Sequence, residues 1–234
     1  MNIIIETEQL NRLTKRIINE KINISKINDF YDSINQSFDD EKNVSDKNKR
    51  AKQVAWSDSK SQNKRFGVLF DIGIKEGDSI LDFGCGLGSM YDYIKEKKLN
   101  VNYTGVDINK DYINDDLSHF KKSVKFKRIK TINDVKEKFD WFLASGVFTI
   151  QFSIKDVIDI ISKAYDKTKK GLSFNFIGDD KVKTTKNYEG FIVYNPEYVK
   201  SELEKHFDNV ELKKNYLDLT NKFSDFTIHI KKPQ

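Results

Sequence analysis

The sequence is short of the residues that staple a fold or ligate metals. It holds one cysteine, Cys85, in 234 residues. A lone cysteine forms no internal disulfide, excludes a cysteine-cluster zinc site and suits a reducing compartment. The three histidines, His119, His206 and His229, are expected at two helix ends and in a strand. No His/Asp/Glu set has metal-ligand spacing, so no metal is expected. No apolar run approaches the ~20 residues of a membrane span. The N-terminus, MNIIIETEQLNRL, turns acidic after its isoleucines and reads poorly as a signal peptide. An excess of one charge is also missing. Lys+Arg total 41 against 36 Asp+Glu, a net +5, which reads as solvated surface rather than a nucleic-acid footprint. The expectation is a soluble, cytoplasmic chain, long enough to bury roughly 70% of its unfolded surface without a staple.

Apolar spacing divides the chain in two. Residues 1–70 look helical: Leu10, Leu13, Ile17 and Ile18 recur at helical spacing, as do Ile24, Ile27, Phe30, Tyr31 and Ile34. A polar stretch, Ser37–Arg50, reads as a loop or hinge. A third helix, roughly Ser59–Ile72, follows. From Asp78 onward short apolar runs at 79–83, 102–107, 124–129, 140–145 and 172–177 alternate with helical patterns near 89–98, 110–119 and 154–168. Ser153 and Asp156 have the spacing to cap the last of these. Such alternation implies parallel strands with right-handed crossovers. Asn195-Pro196 then opens a helix running to about His206. Two strand patterns joined by a turn, NVELKKNYL and FSDFTIHIKK, close the chain as an antiparallel pair.

The chemistry concentrates in ILDFGCGLGSMYDYI, where Asp82, Gly84, Gly86 and Gly88 alternate between a strand and a helix. Glycines there let a ligand approach the backbone closely. The second strand ends in TGVDI, which places Asp107 at its tip, followed by Ile108. A carboxylate at that point can accept from both hydroxyls of a ribose. The dinucleotide fingerprint would want Gly or Ala at position 89, where the chain has Ser89. The D-x-G-x-G-x-G form instead resembles motif I of the class I S-adenosylmethionine-dependent methyltransferases. The resemblance spans about residues 78–232. It implies a Rossmann-like α/β fold: a seven-stranded, mostly parallel sheet with an antiparallel last strand and helices on both faces. It also implies S-adenosylmethionine as cofactor and S-adenosylhomocysteine as product. Residues 1–70 are then a helical cap and 71–234 the cofactor-binding domain.

By the same resemblance WSDSKSQNKRF (56–66) looks like the lead-in helix of small enzymes of this class. Gln62 and Arg65 would reach the cofactor carboxylate, or else sit on an amphipathic surface helix. Ser145 lies in the small-residue loop after the fourth strand, beside the transferable methyl. Phe148 either walls the acceptor pocket or packs, and Asn175 either orients the acceptor or is a satisfied buried amide. Asp134 meets the adenine amino group or caps a helix. The segment 178–195 is a lid carrying Tyr188 and Tyr194, with Trp56 as a further lining candidate, or a surface loop. The Asn/Asp-Pro-Pro-aromatic motif of base-amino methyltransferases is absent, and Cys85 is placed as a packing residue rather than a cytosine-C5 nucleophile.

No catalytic residue can be named. The favoured acceptor is a small molecule methylated on O or N. RNA or protein acceptors, a non-catalytic cofactor-binding scaffold and a nicotinamide oxidoreductase are the alternatives. The N-terminal helices serve as a lid or as a dimer interface, and the oligomeric state is open.

Overall fold

The structure is a computed structural model and describes Ile27 together with residues 46–54, 58–120, 124–188, 191–219 and 222–233. Trp56 and the N-terminal helical patterns other than Ile27 lie outside the described residues. The first helices are α1, Asp46–Gln53, and α2, Ser59–Phe70. The end of the stretch expected to be a loop is thus helical. Asp58 caps α2 by accepting the Ser61 amide at 2.8 Å. Gln62, Arg65, Phe66 and Leu69 are its buried residues, the i, i+3, i+4, i+7 set of one helix face.

The alternating region then builds β1 (Ser79–Phe83), α3 (Ser89–Glu96), β2 (Asn102–Asp107), α4 (Lys110–Phe120), β3 (Lys125–Arg128), β4 (Phe139–Ala144), α5 (Ile154–Tyr165) and β5 (Thr168–Gly178). Ser153 and Asp156 form a complete capping box at the start of α5. The five strands run parallel in the order β3-β2-β1-β4-β5. After β5 come a hairpin of β6 (Thr185–Tyr188) and β7 (Phe191–Tyr194), then α6 (Pro196–Leu203), β8 (Val210–Lys213) and β9 (Ser224–Lys231).

β9 runs antiparallel along β5, and β8 antiparallel along β9. Seven strands therefore follow the expected path, with the antiparallel strand last in sequence. The described sheet has nine strands because β6–β7 adds a hairpin, joined to β5 through Gly178 and Tyr194. Segment 178–195, read from sequence as lid or loop, is mostly this hairpin. Its outer strand is largely exposed, so it carries no apolar alternation for a sequence reading to find.

The sheet is buried on both faces. Leu81, Phe142, Phe174, Phe176, Phe226 and Ile228 pack with α5 residues such as Val157 and Ile161. Ile80, Trp141 and Leu143 pack with Phe66, Leu69, Met90 and Ile94 from α2 and α3. Three layers of this kind leave the carboxyl ends of the parallel strands as the open edge where ligands bind in such sheets.

Candidate functional site

At that edge β1 ends and the glycine loop begins. The amides of Gly84 and Cys85 both donate to the Val106 carbonyl, at 2.8 and 3.1 Å, which folds the loop back onto β2. Gly84 has φ 75° and a Cβ there would stand 2.5 Å from Val147 Cγ2. Gly88 has φ 66° and a Cβ would stand 2.5 Å from Phe120 Cε2. Both positions combine a left-handed backbone with no room for a side chain, so glycine is required. The Gly86 amide donates to Asp107 Oδ2 at 2.9 Å, and the Asn109 amide donates to Oδ1 at 2.8 Å. Burial holds the Asp107 carboxyl above its usual range, although these amides pull the other way.

Asp82, two residues before the loop, is 2% exposed. The Tyr103 hydroxyl donates to its Oδ2 at 2.6 Å, while Oδ1 has no hydrogen-bond partner among the described residues. Burial pushes its carboxyl up to about 7.

These groups open onto a cavity of about 620 Å³, a size typical of sites for drug-sized ligands. Asp82, Gly84, Gly86, Asp107, Ile108 and Ser145 all line it, as does Gln62 from α2. The Ser145 hydroxyl is buried and has no hydrogen-bond partner among the described residues. Gly88 lies behind the loop and starts α3. Ile27, Val54 and Phe66 bring the N-terminal part of the chain onto the same cavity, and Ile129–Asp134 and Phe152 close other sides. Asp134 accepts the amides of Lys130 and Thr131 at 2.8 and 3.0 Å, the capping alternative, and these bonds hold its carboxyl below the usual range. It also borders the cavity.

Four sequence expectations need correction. Arg65 is absent from the cavity lining; its guanidinium pairs with buried Asp225 on β9. That pairing brings together residues 160 positions apart in sequence, which spacing along one helix cannot reveal. Phe148 is fully buried and packs against Phe152, Phe174 and Phe176; of these four aromatics Phe152 alone borders the cavity. Tyr194 is also fully buried, and its hydroxyl meets the carbonyls of Phe148 and Phe152 at 2.9 and 2.6 Å. It is a strut beneath the loop rather than a lid residue. Asn175 is buried and accepts the Gly146 amide at 2.7 Å, and it too lies outside the lining.

Sequence reading missed Arg50 and Asp116. Arg50 on α1 donates to the Leu87 carbonyl and to Asp115, each at 2.6 Å, and to Asp116 at 3.3 Å. Asp116 on α4 is fully buried, and burial pushes its carboxyl up to about 9 despite Arg50. No signal along the chain pairs residue 50 with residues 115 and 116. Cys85 Sγ lies 3.9 Å from Asp116, and burial pushes the thiol well up, which agrees with a packing role. His229 is buried in β9 against the Val68 carbonyl, 3.0 Å away, and burial lowers its pKa. Among the described residues no group of His, Cys, Asp and Glu could hold a metal ion, and no helix is long and apolar enough to cross a membrane.

Comparison with known proteins agrees with this geometry. The profile of a methyltransferase domain family matches residues 81–171, from β1 into β5. The Mycobacterium tuberculosis protein Rv1506c, provisionally named a methyltransferase, is 26% identical over 106 residues, covering 42% of this chain and 61% of that protein. Magnesium protoporphyrin IX methyltransferase from Synechocystis PCC 6803, solved with S-adenosylhomocysteine bound, superposes with a TM-score of 0.58 at 13% identity, covering 94% of this chain and 99% of that one. The N-methyltransferase NodS from Bradyrhizobium japonicum WM9 gives 0.58 at 14% identity, covering 75% and 98%. Haemonchus contortus phosphoethanolamine N-methyltransferase 2 gives 0.57 at 14%, covering 74% of this chain and 53% of that one. The chain thus spans about three fifths of the curated relative and half of the Haemonchus enzyme. Residues 81–171 thus match a methyltransferase domain family, and the chain has the Rossmann-like fold of these solved methyltransferases.

Proposed function

We propose that the protein is an S-adenosylmethionine-dependent methyltransferase acting on an O or N atom of a small molecule. The observation that carries this reading is the joined glycine loop and Asp107 carboxylate, opening on a cavity that Gln62, Asp82 and Ser145 also border. The residues present fit the cofactor. Asp107 has lone pairs left for ribose hydroxyls, and Asp82 and Gln62 are available to the amino-acid end. Ile108 and the 129–134 turn are available to the base, and the Ser145 loop to the methyl-bearing centre. Asp82, Asp107, Asp134 and Asp159 on the lining outnumber Lys130 and Lys163, and Lys163 is already bonded to Asp159 at 2.5 Å. An acid-rich wall favours a ligand bearing cationic groups.

When bound, the cofactor supplies a methyl group already activated by its sulfonium. The chain's own task is alignment and exclusion of water, for which positioning can provide ~7–11 kcal/mol. The helical segment before residue 71 serves as the cap, supported by Ile27, Val54, Gln62 and Phe66 on the cavity wall. The single buried cysteine supports work in a reducing compartment such as the cytoplasm. A small acceptor is favoured by the magnesium protoporphyrin IX and phosphoethanolamine enzymes that share the fold.

Incubation with methyl-labelled S-adenosylmethionine and cell extract, split by ultrafiltration, tests the reading. Label is expected in the small-molecule fraction, in a product that chromatography separates from S-adenosylmethionine itself and that forms only with the protein present. Label only on retained RNA or protein would overturn the acceptor class, and labelled product in neither fraction would overturn the activity.

A further inference from the structure

We infer that Asn175 is a positioning residue for the cofactor cavity, fixing the loop after β4 through Gly146 and thereby seating Ser145 at the cavity wall and Val147 against the glycine loop. The inference rests on the reading of that cavity as the cofactor site.

The register of β5 against β9 places Ser173 opposite His229 and Asn175 opposite Thr227. These four side chains share one face of the sheet, since directly paired residues point the same way and neighbours alternate. Phe174 and Phe176 take the other face and join the apolar core. An amide at a position 1% exposed is costly unless bonded, and Asn175 spends its carbonyl on the Gly146 amide at 2.7 Å. Gly146 is left-handed, with φ 74° and ψ 5°, and starts the 3-10 turn Val147–Thr149. Its carbonyl accepts the Thr149 hydroxyl at 2.8 Å. Both backbone polar groups of Gly146 are therefore held, the amide from β5 and the carbonyl from within the turn.

The residues on either side of Gly146 gain from this. Ser145 borders the cavity and its buried hydroxyl has no partner among the described residues, so its direction is set by the backbone. Val147 packs against Gly84 closely enough to exclude a Cβ there. Fixing Gly146 fixes the serine and seats the glycine loop at once. Asn175 itself is outside the lining, so it acts through the loop and touches no ligand.

Titration calorimetry with S-adenosylhomocysteine separates this from a purely structural role. Asn175→Leu, of the same branched shape but without an acceptor, is expected to weaken binding by about 5- to 150-fold. Asn175→Asp keeps the acceptor oxygen and is expected to stay within about threefold of wild type, a rescue well inside one tenfold step. Val147→Ala, which removes the packing against Gly84, is expected to weaken binding, and the Val147→Ala/Asn175→Leu double variant to lose no more than Asn175→Leu alone. Losses that multiply in the double variant, or an Asn175→Leu affinity equal to wild type, would overturn the inference. Should the leucine variant not fold, Asn175→Ala carries the same comparison. A wild-type protein that binds no S-adenosylhomocysteine overturns the cofactor reading and this inference with it, an outcome distinct from wild-type binding that position 175 leaves unchanged.

Discussion

Asp107 accepts the Gly86 amide at 2.9 Å, so the loop leaving the first strand and the tip of the second are tied directly to each other. Loss of the carboxylate therefore affects both the loop and the ligand. Asp107→Ala is expected to weaken S-adenosylhomocysteine binding by about 1–3 kcal/mol, the scale of a lost bond to a charged group. Calorimetry on the folded variant checks this, and an unchanged affinity would contradict it.

Gly88→Ala tests the packing of the same loop. The added Cβ would meet Phe120 at 2.5 Å and Asp116 Oδ1 at 3.1 Å from a backbone at φ 66°. Strain and overpacking together are expected to cost about 2–4 kcal/mol, read from the urea midpoint. Gly77→Ala is the control. It has φ 83° but nothing within 4 Å, so only the backbone term applies, about 1–2 kcal/mol.

Asp82 gives a pH dependence with a definite sign. Its carboxyl is pushed up to about 7 from an ordinary 3.8 by burial, so the folded protein holds the proton more tightly than the unfolded chain. The stability this contributes is fully present below about pH 4 and is lost as pH rises to about 7. Between pH 5 and 7.5 the melting temperature of Asp82→Asn is expected to fall less than that of wild type. A cationic ligand in the adjoining cavity favours the carboxylate, so S-adenosylmethionine affinity is expected to rise over the same interval, and Asp82→Asn to flatten that rise.

Arg50 ties α1 to the glycine loop and to α4 through Leu87, Asp115 and Asp116. Its removal leaves the Leu87 carbonyl and the buried Asp116 carboxyl without that donor. Arg50→Ala is expected to cost about 1–3 kcal/mol of stability and to speed dissociation of S-adenosylhomocysteine, followed by stopped-flow. Arg50→Lys should not restore either property, because a single ammonium cannot span three acceptors as the guanidinium fork does.

The parallel half of the fold was legible because its signals are local. The strand run SILDF is followed by glycine and NYTGVD ends in an acid, and the α5 stripe starts at the Ser153–Asp156 box. The antiparallel pair β8–β9 was legible from two strand patterns and a turn. The hairpin β6–β7 was not, since Thr185, Lys186 and Asn187 are exposed on an edge strand. Within the site, glycines and Asp107 announced themselves by position relative to strand ends. Phe148 and Tyr194 did not, because an aromatic beside a cavity and one beneath it look alike in sequence. Arg65 and Arg50 found acids far along the chain, in Asp225 and Asp115–Asp116, and only the folded sheet brings those partners together.

The most direct test of the central claim is calorimetric titration of the wild-type protein with S-adenosylhomocysteine, with NADH as the control ligand. The account predicts one site of micromolar affinity for the former, about −8 kcal/mol, and no measurable heat from the latter. Binding of NADH without S-adenosylhomocysteine would contradict it.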